Sequence, residues 1–236
     1  MTNSTHNDTY QDNYRKHYLK ITENVYPSVF ALKFFLGNNP NFNFKKNINH
    51  DLSEKKLLDI GFGDGRDLSF FCDLGLSVFG IEVDDDVIKH SKAKFKAINV
   101  KISKGFNDNT GFNNDTFDFI YSVAALMYLR NESLTIKNIL AHSYEILKPG
   151  GYFMGTFTKY NSHVMKEAKK IDSNRFILKD PFYKFREGQI YHAHKTKDEV
   201  ISDLENNGFR NVIVSEYDID WFGARERSFM FIAKKI

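Results

Sequence analysis

Cysteine is almost missing from this chain. Cys72 stands alone among 236 residues, so no intrachain disulfide can form. On the apolar side of a helical stretch it reads as a small buried hydrophobe, with a reactive thiol as the other reading. Excess charge is missing too: 33 Lys and Arg face 30 Asp and Glu, and a formal net charge of +3 is too balanced to argue for nucleic acid. No apolar run is long enough to cross a bilayer, since the longest, Phe117 to Leu129, is short and interrupted by Asp118 and Ser122. Met1 to Asp8 are polar and hold no apolar signal core, and no internal repeat or linker appears. These absences lead to the expectation of a soluble cytoplasmic protein with no membrane or nucleic-acid partner.

What is present is globular. Hydrophobic residues make up 42% and aromatics 15%, with 23 Phe, and 27.5 kDa suits one sizeable α/β core. Residues 1 to about 12 read as a disordered tail. Tyr14, Tyr18, Ile21 and Val25, then Val29, Leu32, Phe35 and Leu36, recur at helical spacing around Pro27, so two helices are expected. From Lys56 strands and helices alternate, which argues for a mostly parallel sheet. Strands are expected near 56–60, 77–82, 100–104, 117–122 and 151–158, with helices near 64–74, 85–97 and 131–147. Thr196 caps a further helix that ends at Asn207-Gly208, and two β-rich runs, Asn211 to Tyr217 and Ser228 to Ala233, finish the chain.

The densest signal is Leu57-Leu58-Asp59-Ile60-Gly61-Phe62-Gly63-Asp64-Gly65-Arg66, followed twenty-one positions after Gly61 by Glu82. An apolar strand enters a glycine turn, the turn opens a helix, and a carboxylate waits at the end of the next strand. That is the geometry of a nucleotide-like ligand site in an open parallel sheet. A dinucleotide fingerprint would put its third glycine at position 66, where Arg66 stands instead. The triplet Asp84-Asp85-Asp86 reads as helix-capping carboxylates, because consecutive helical side chains diverge and make a poor metal shell.

The run Asp59-x-Gly61-x-Gly63-x-Gly65 resembles motif I of class I S-adenosylmethionine-dependent methyltransferases. Phe117-Asp118-Phe119-Ile120-Tyr121-Ser122 is similar to that family's fourth strand, and Leu147-Lys148-Pro149-Gly150-Gly151 to its turn into the fifth. The resemblance implies a Rossmann-like, mostly parallel seven-stranded sheet with helices on both faces and an N-terminal helical cap. It implies that residues 53–236 form the S-adenosylmethionine-binding domain, 1–52 the tail and cap, and 159–194 a substrate-side insertion. It further implies that Gly61, Gly63 and Gly65 cradle the methionine part, that Asp59 orients its ammonium, and that Glu82 binds the ribose hydroxyls. A helix-capping Glu82 is the bland alternative. The backbone at Ser122 to Ala124 would reach the amine. Phe106 replaces the family's usual adenine-contacting acid. Adenine would then stack on Phe106 and meet the Asn107 amide, or Phe106 is core. Tyr14 and Tyr18 are the first choices in an aromatic lid that also holds Tyr10 and His17.

The acceptor side is thinner. His192 and His194 share one face of an extended segment and are candidate bases, as is His163; each also reads as an ordinary edge residue. No further ligand with recognisable spacing accompanies the pair, so no metal is expected. Tyr128 either lines the pocket or packs in the core. Arg66, Arg186 and Arg225 are candidate anion partners, with a surface ion pair as the alternative for Arg66. The expected activity is methyl transfer to a small molecule, O-methylation of a sugar or phosphate-derived group being the finer reading. A regulatory module that binds the cofactor without catalysis is the alternative.

Overall fold

The computed structural model describes residues 4–19, 26–47, 51–96 and 98–236. Helices α1 (Ser4–Leu19), α2 (Val29–Phe35) and α3 (Phe44–Asn47) precede β1 (Lys56–Ile60). There follow α4 (Arg66–Asp73), β2 (Ser77–Glu82), α5 (Asp85–Lys94), β3 (Val100–Lys104), β4 (Phe117–Ser122), β5 (Tyr128–Leu129), α6 (Ile136–Ile146) and β6 (Leu147–Thr158). Short strands β7 (Lys169–Lys170), β8 (Arg175–Ile177) and β9 (Ile190–His192) lead to α7 (Lys197–Asn206) and the hairpin β10 (Arg210–Trp221), β11 (Ala224–Lys234).

The main sheet has seven strands in the order β10-β11-β6-β4-β1-β2-β3. Strands β3, β2, β1, β4 and β6 run parallel, while β11 is antiparallel to both neighbours. Strand order reverses beside β1, so a crevice opens there at the carboxyl ends of the strands. Alternation along β1 sends its side chains to two layers. Leu57 joins Phe34, Phe35 and Phe71 under α2 and α4, whereas Leu58 and Ile60 join Ile139, Leu140, Val200 and Leu204 under α6 and α7. Both faces of the sheet are therefore covered by helices. Among the described residues no helix is long and apolar enough to cross a membrane.

Several expected boundaries move for physical reasons. Helix α1 begins at Ser4, inside the stretch expected to be a disordered tail. Positions Ile21 and Val25 and the side chain of Tyr10 lie outside the described residues. Helix α6 begins at Ile136 rather than near 131, because Asn131 accepts hydrogen bonds from the Ser133 and Leu134 amides in a turn. A capping box of Thr135 and Asn138 then starts the helix. Strand β6 begins at Leu147, opposite Phe117, and its register with β4 shifts before Phe119. Pro149, with no N–H to give, falls in that irregularity. A second, four-stranded sheet of order β5-β9-β8-β7 stands beside the main one, over a small core of Met127, Val164, Met165, Leu178, Tyr191 and Ala193.

Candidate active site

At the end of β1 the chain turns sharply. Gly61 and Gly63 take left-handed φ values of 72° and 57°. A Cβ on Gly61 would stand 2.4 Å from the Ala125 Cβ, and one on Gly63 2.6 Å from the Tyr18 ring. The two glycines thus admit the loop after β4 on one side and a ring of α1 on the other. Gly65 caps α4, and its open side faces Phe95 in the packing rather than the crevice.

Glu82 closes β2 at the crevice floor, only 2% exposed. Its Oε1 accepts from the Val83 amide at 2.8 Å and from the Tyr14 hydroxyl at 2.9 Å. Its Oε2 accepts from the Gly63 amide at 3.2 Å. The carboxylate thereby joins the glycine turn, its own strand end and the N-terminal helix. Arg15 extends the tie to α5 by pairing with Asp84 and Asp86, while Asp84 caps that helix through the Asp86 and Val87 amides. On the other flank His17 stacks on Phe185 at 4.5 Å.

The crevice under α1 has a volume of about 500 Å³. Tyr14, Tyr18, Gly61, Glu82, Phe106, Asn107 and Tyr128 all line it. Asn107 uses its amide nitrogen on the Ala125 and Tyr128 carbonyls, at 3.2 and 2.9 Å, which fixes the loop after β4 and leaves the amide oxygen for a ligand. Arg130 lies 4.4 Å over the Phe106 ring and pairs with Asp108, so one face of that ring is already covered. Ser122 is fully buried and donates to the Ile60 carbonyl at 2.9 Å, pinning β4 to β1 behind the crevice.

Carboxyl groups crowd this region. Asp59, Asp64, Asp67 and Glu82 are all buried around the glycine turn. Burial, with the neighbouring Asp67, Glu82 and Asp64, holds the Asp59 carboxyl well above the usual range. Burial likewise raises Glu82 and Asp67 against the hydrogen bonds that favour their charged forms. Arg66 answers only part of this charge, donating from Nε to Oδ1 and from Nη2 to Oδ2 of Asp64. Asp67 accepts from the Ser28 amide, the Ser28 hydroxyl and the Tyr121 hydroxyl, at 2.7 to 2.9 Å. A site of this kind suits a ligand that brings positive charge and sugar hydroxyls together. A sulfonium nucleoside with a free ammonium does both.

A family model described as a methyltransferase domain matches residues 57–151, the stretch that holds the glycine turn, Glu82, Asn107 and β4. Over those residues the chain carries a methyltransferase domain, and this supports its likeness to the class I S-adenosylmethionine-dependent methyltransferases. It is an enzyme whose cofactor is S-adenosylmethionine. No curated protein matches this methyltransferase significantly. Its fold is shared with solved structures. A methyltransferase from Methanosarcina mazei is 21% identical with a TM-score of 0.63, over 82% of this chain and 98% of that one. One from Thermotoga maritima is 17% identical with a TM-score of 0.59, over 97% and 99%. A phosphoethanolamine N-methyltransferase of Haemonchus contortus, solved with phosphomonomethylethanolamine and S-adenosylhomocysteine, is 15% identical with a TM-score of 0.56, over 94% and 60%.

The structure does not gather all the residues chosen from sequence. Tyr128 lines the crevice, with its ring edge-on to Tyr191 at 4.5 Å. His192 and His194 do not line it: His192 opens on a separate cavity, and His194 is fully buried against Asp203. Burial, helped by His194, pushes the His192 pKa down to about 3. The His163 ring sits edge-on to Phe182 and Tyr183, also off the crevice. Of the three candidate arginines, Arg66 and Arg225 are satisfied by Asp64 and Asp218. Asp67 was missed, although its place one residue into α4, facing a Ser that follows Pro27, was a readable capping pattern. Asp203 carried no local signal at all. Cys72 is partly buried, and burial pushes its thiol up to about 11, which fits the inert reading.

Proposed function

We propose that this methyltransferase modifies a small acceptor that carries an anionic group, held on the side of the crevice formed by Tyr18 and Tyr128, next to Arg186. The observation that carries this is the state of Arg186. Its guanidinium is packed 3.9 Å over Phe185, and its Nη1 is buried without a hydrogen-bond partner. Asp180 stands 3.8 Å away, too far to satisfy that nitrogen. Tyr128, Tyr191 and Tyr18 are close enough to act on it electrostatically, and Tyr18 and Tyr128 line the crevice. An anionic oxygen would complete the guanidinium as a charge-assisted partner.

When bound, S-adenosylmethionine supplies a methyl group made electrophilic by its sulfonium. In this reading Glu82 holds the ribose hydroxyls, the Asn107 amide oxygen accepts from the adenine amine, and the open face of Phe106 stacks on the base. The rings of Tyr14 and Tyr18 exclude water above them. Tyr18 is well suited to this, since burial raises its phenol and keeps it neutral. Positioning is the main contribution, worth about 7–11 kcal/mol for a well-aligned pair of reactants. No histidine lines the crevice among the described residues. That favours a nucleophile already free of its proton, and among the O-methylation readings it favours a phosphate-derived or other acidic oxygen over a sugar hydroxyl.

The cytoplasmic setting and the 159–194 insertion as the acceptor side belong to the same proposal, as does the lack of a nucleic-acid partner, for which the near-balanced charge speaks. The test has two arms. Calorimetry should find S-adenosylhomocysteine binding to parent and Arg186→Ala alike. Mass spectrometry of small anionic metabolites incubated with S-adenosylmethionine should find a methylated product whose KM rises in Arg186→Ala. Equal KM values for both proteins would end the anionic-acceptor reading.

A further inference from the structure

Away from the crevice, two imidazoles and a carboxylate meet where methyl transfer makes no use of them. His192 ends β9 and His194 follows two residues later, so their side chains leave the extended backbone on one face. Both backbones are fixed, with the His192 amide on the Met127 carbonyl at 2.9 Å and the His194 amide on the Thr158 carbonyl at 3.1 Å. The rings stand 4.6 Å apart. Asp203 reaches in from α7. Its Oδ2 lies 2.9 Å from His194 Nε2 and 3.9 Å from His192 Nε2. One ligand atom from each of the three residues falls within 4.8 Å of the others.

His192 Nε2 is buried and has no hydrogen-bond partner, although its side chain is only 9% exposed. A buried polar atom left this way is costly and calls for a partner from outside the chain. His192 and Asp203 help line a cavity of about 580 Å³, whose walls also hold Asp172, Asp198, Glu199 and Arg175. Arg175 is already engaged by Asp172 and by the Glu132 carbonyl. The cavity is therefore acidic, and Arg175, the one lining cation among the described residues, is already taken.

We propose that His192, His194 and Asp203 bind one divalent transition-metal ion of the zinc type. Two imidazole nitrogens and one carboxylate suit zinc, cobalt or nickel; magnesium and calcium call for six or more oxygens. Metal–ligand bonds of about 2.0–2.2 Å in a tetrahedron put ligand atoms about 3.3 Å apart. The two carboxylate contacts, at 2.9 and 3.9 Å, bracket that spacing, and with all three ligand atoms within 4.8 Å of one another the His192 ring closes the set by moving toward the other two. The fourth position faces the cavity, where water or a small anion completes the shell. The ion joins β9, a strand of the small sheet, to α7, a helix packed on the main one. Its role is to clip the segment that carries Arg186 onto the core.

The test uses the full chain, stripped with a chelator, then titrated with Zn²⁺ by calorimetry and with Co²⁺ by visible absorption. One ion should bind per chain, Co²⁺ should give the intense visible band of a tetrahedral site, and Zn²⁺ should raise the melting temperature. His192→Gln and Asp203→Asn should each weaken uptake by more than about tenfold. Both should keep the parent's far-ultraviolet circular dichroism and its affinity for S-adenosylhomocysteine. Should a variant not fold, side-chain NMR of the parent decides: the two buried imidazoles shift on adding Zn²⁺ while exposed ones do not. No uptake by the parent, or equal uptake by parent and variants, overturns the proposal. So does a Zn²⁺ titration that leaves the buried imidazole signals in place.

Discussion

Glu82 is asked to do two things at once: it ties Tyr14, Gly63 and Val83 together, and it faces the crevice. Removing it strands three donors and, in our reading, two ribose hydroxyls. Glu82→Ala should therefore weaken S-adenosylhomocysteine binding by about 1–3 kcal/mol. Calorimetry reads this directly, and an unchanged affinity would show the ribose to lie elsewhere. The glycines beside it make a sharper comparison. Both positions charge an L-residue roughly 1–2 kcal/mol for a left-handed backbone. At Gly61 the new methyl also meets the fixed Cβ of Ala125, whereas at Gly63 it meets the ring of Tyr18, which can swing aside. Gly61→Ala should lose more stability in urea than Gly63→Ala. Gly63→Ala should instead make α1 easier to cleave in limited proteolysis. The reverse ranking would mean that the loop after β4 yields more easily than the helix.

At the scale of elements, the strands that build the crevice were legible because each is a short apolar run between turn signals. β1, β2, β3 and β4 fall on the expected residues. The glycine turn and Glu82 could be read for the same reason, as local spacing. Strands β7, β8 and β9 are two or three residues long, too short to show a period of two. The partner of His192 and His194 sits on a different element, nine residues past His194, and only packing of α7 brings it there. Helix α1 as a cover for Glu82 is likewise a long-range fact, sixty-eight residues apart in sequence. One such link can be tested. Ser28 caps α2 through the Ala31 amide and donates to Asp67, which also takes the Tyr121 hydroxyl. This joins the N-terminal helices to the helix that opens from the glycine turn. Ser28→Ala and Asp67→Asn should each cost about 1–2 kcal/mol in chemical denaturation. The double variant should cost less than the two together, by at least about 0.5 kcal/mol. Strict additivity would mean that the two residues act apart.

For the molecule as a whole, the buried carboxylates set how stability answers to pH. Burial raises Asp59, Asp67 and Glu82 above their unfolded values. A group raised in this way binds its proton more tightly in the folded state. Its contribution is complete below the unfolded value and fades as pH rises through the folded one. Other groups pull the opposite way. Burial lowers His142, and lowers His192 to about 3, so both lose stability as pH falls below their unfolded value. Asp118 behaves similarly lower down: burial alone would raise it, but Lys148 and the Lys56 amide hold it below the usual range. The total curve mixes these signs, so the decisive measurement is a difference. Urea midpoints of the parent and Glu82→Gln, taken in steps from neutral pH down to about 4, isolate the single carboxyl. The parent should gain on the variant as pH falls through that window. Saturating S-adenosylmethionine, which brings two positive charges to the same place, should flatten the gain by favouring the ionised carboxylate. A difference that stays constant across the window would mean that Glu82 carries its charge as easily inside the fold as in the open chain. The crevice would then lack the unmet negative charge to which a cationic methyl donor answers.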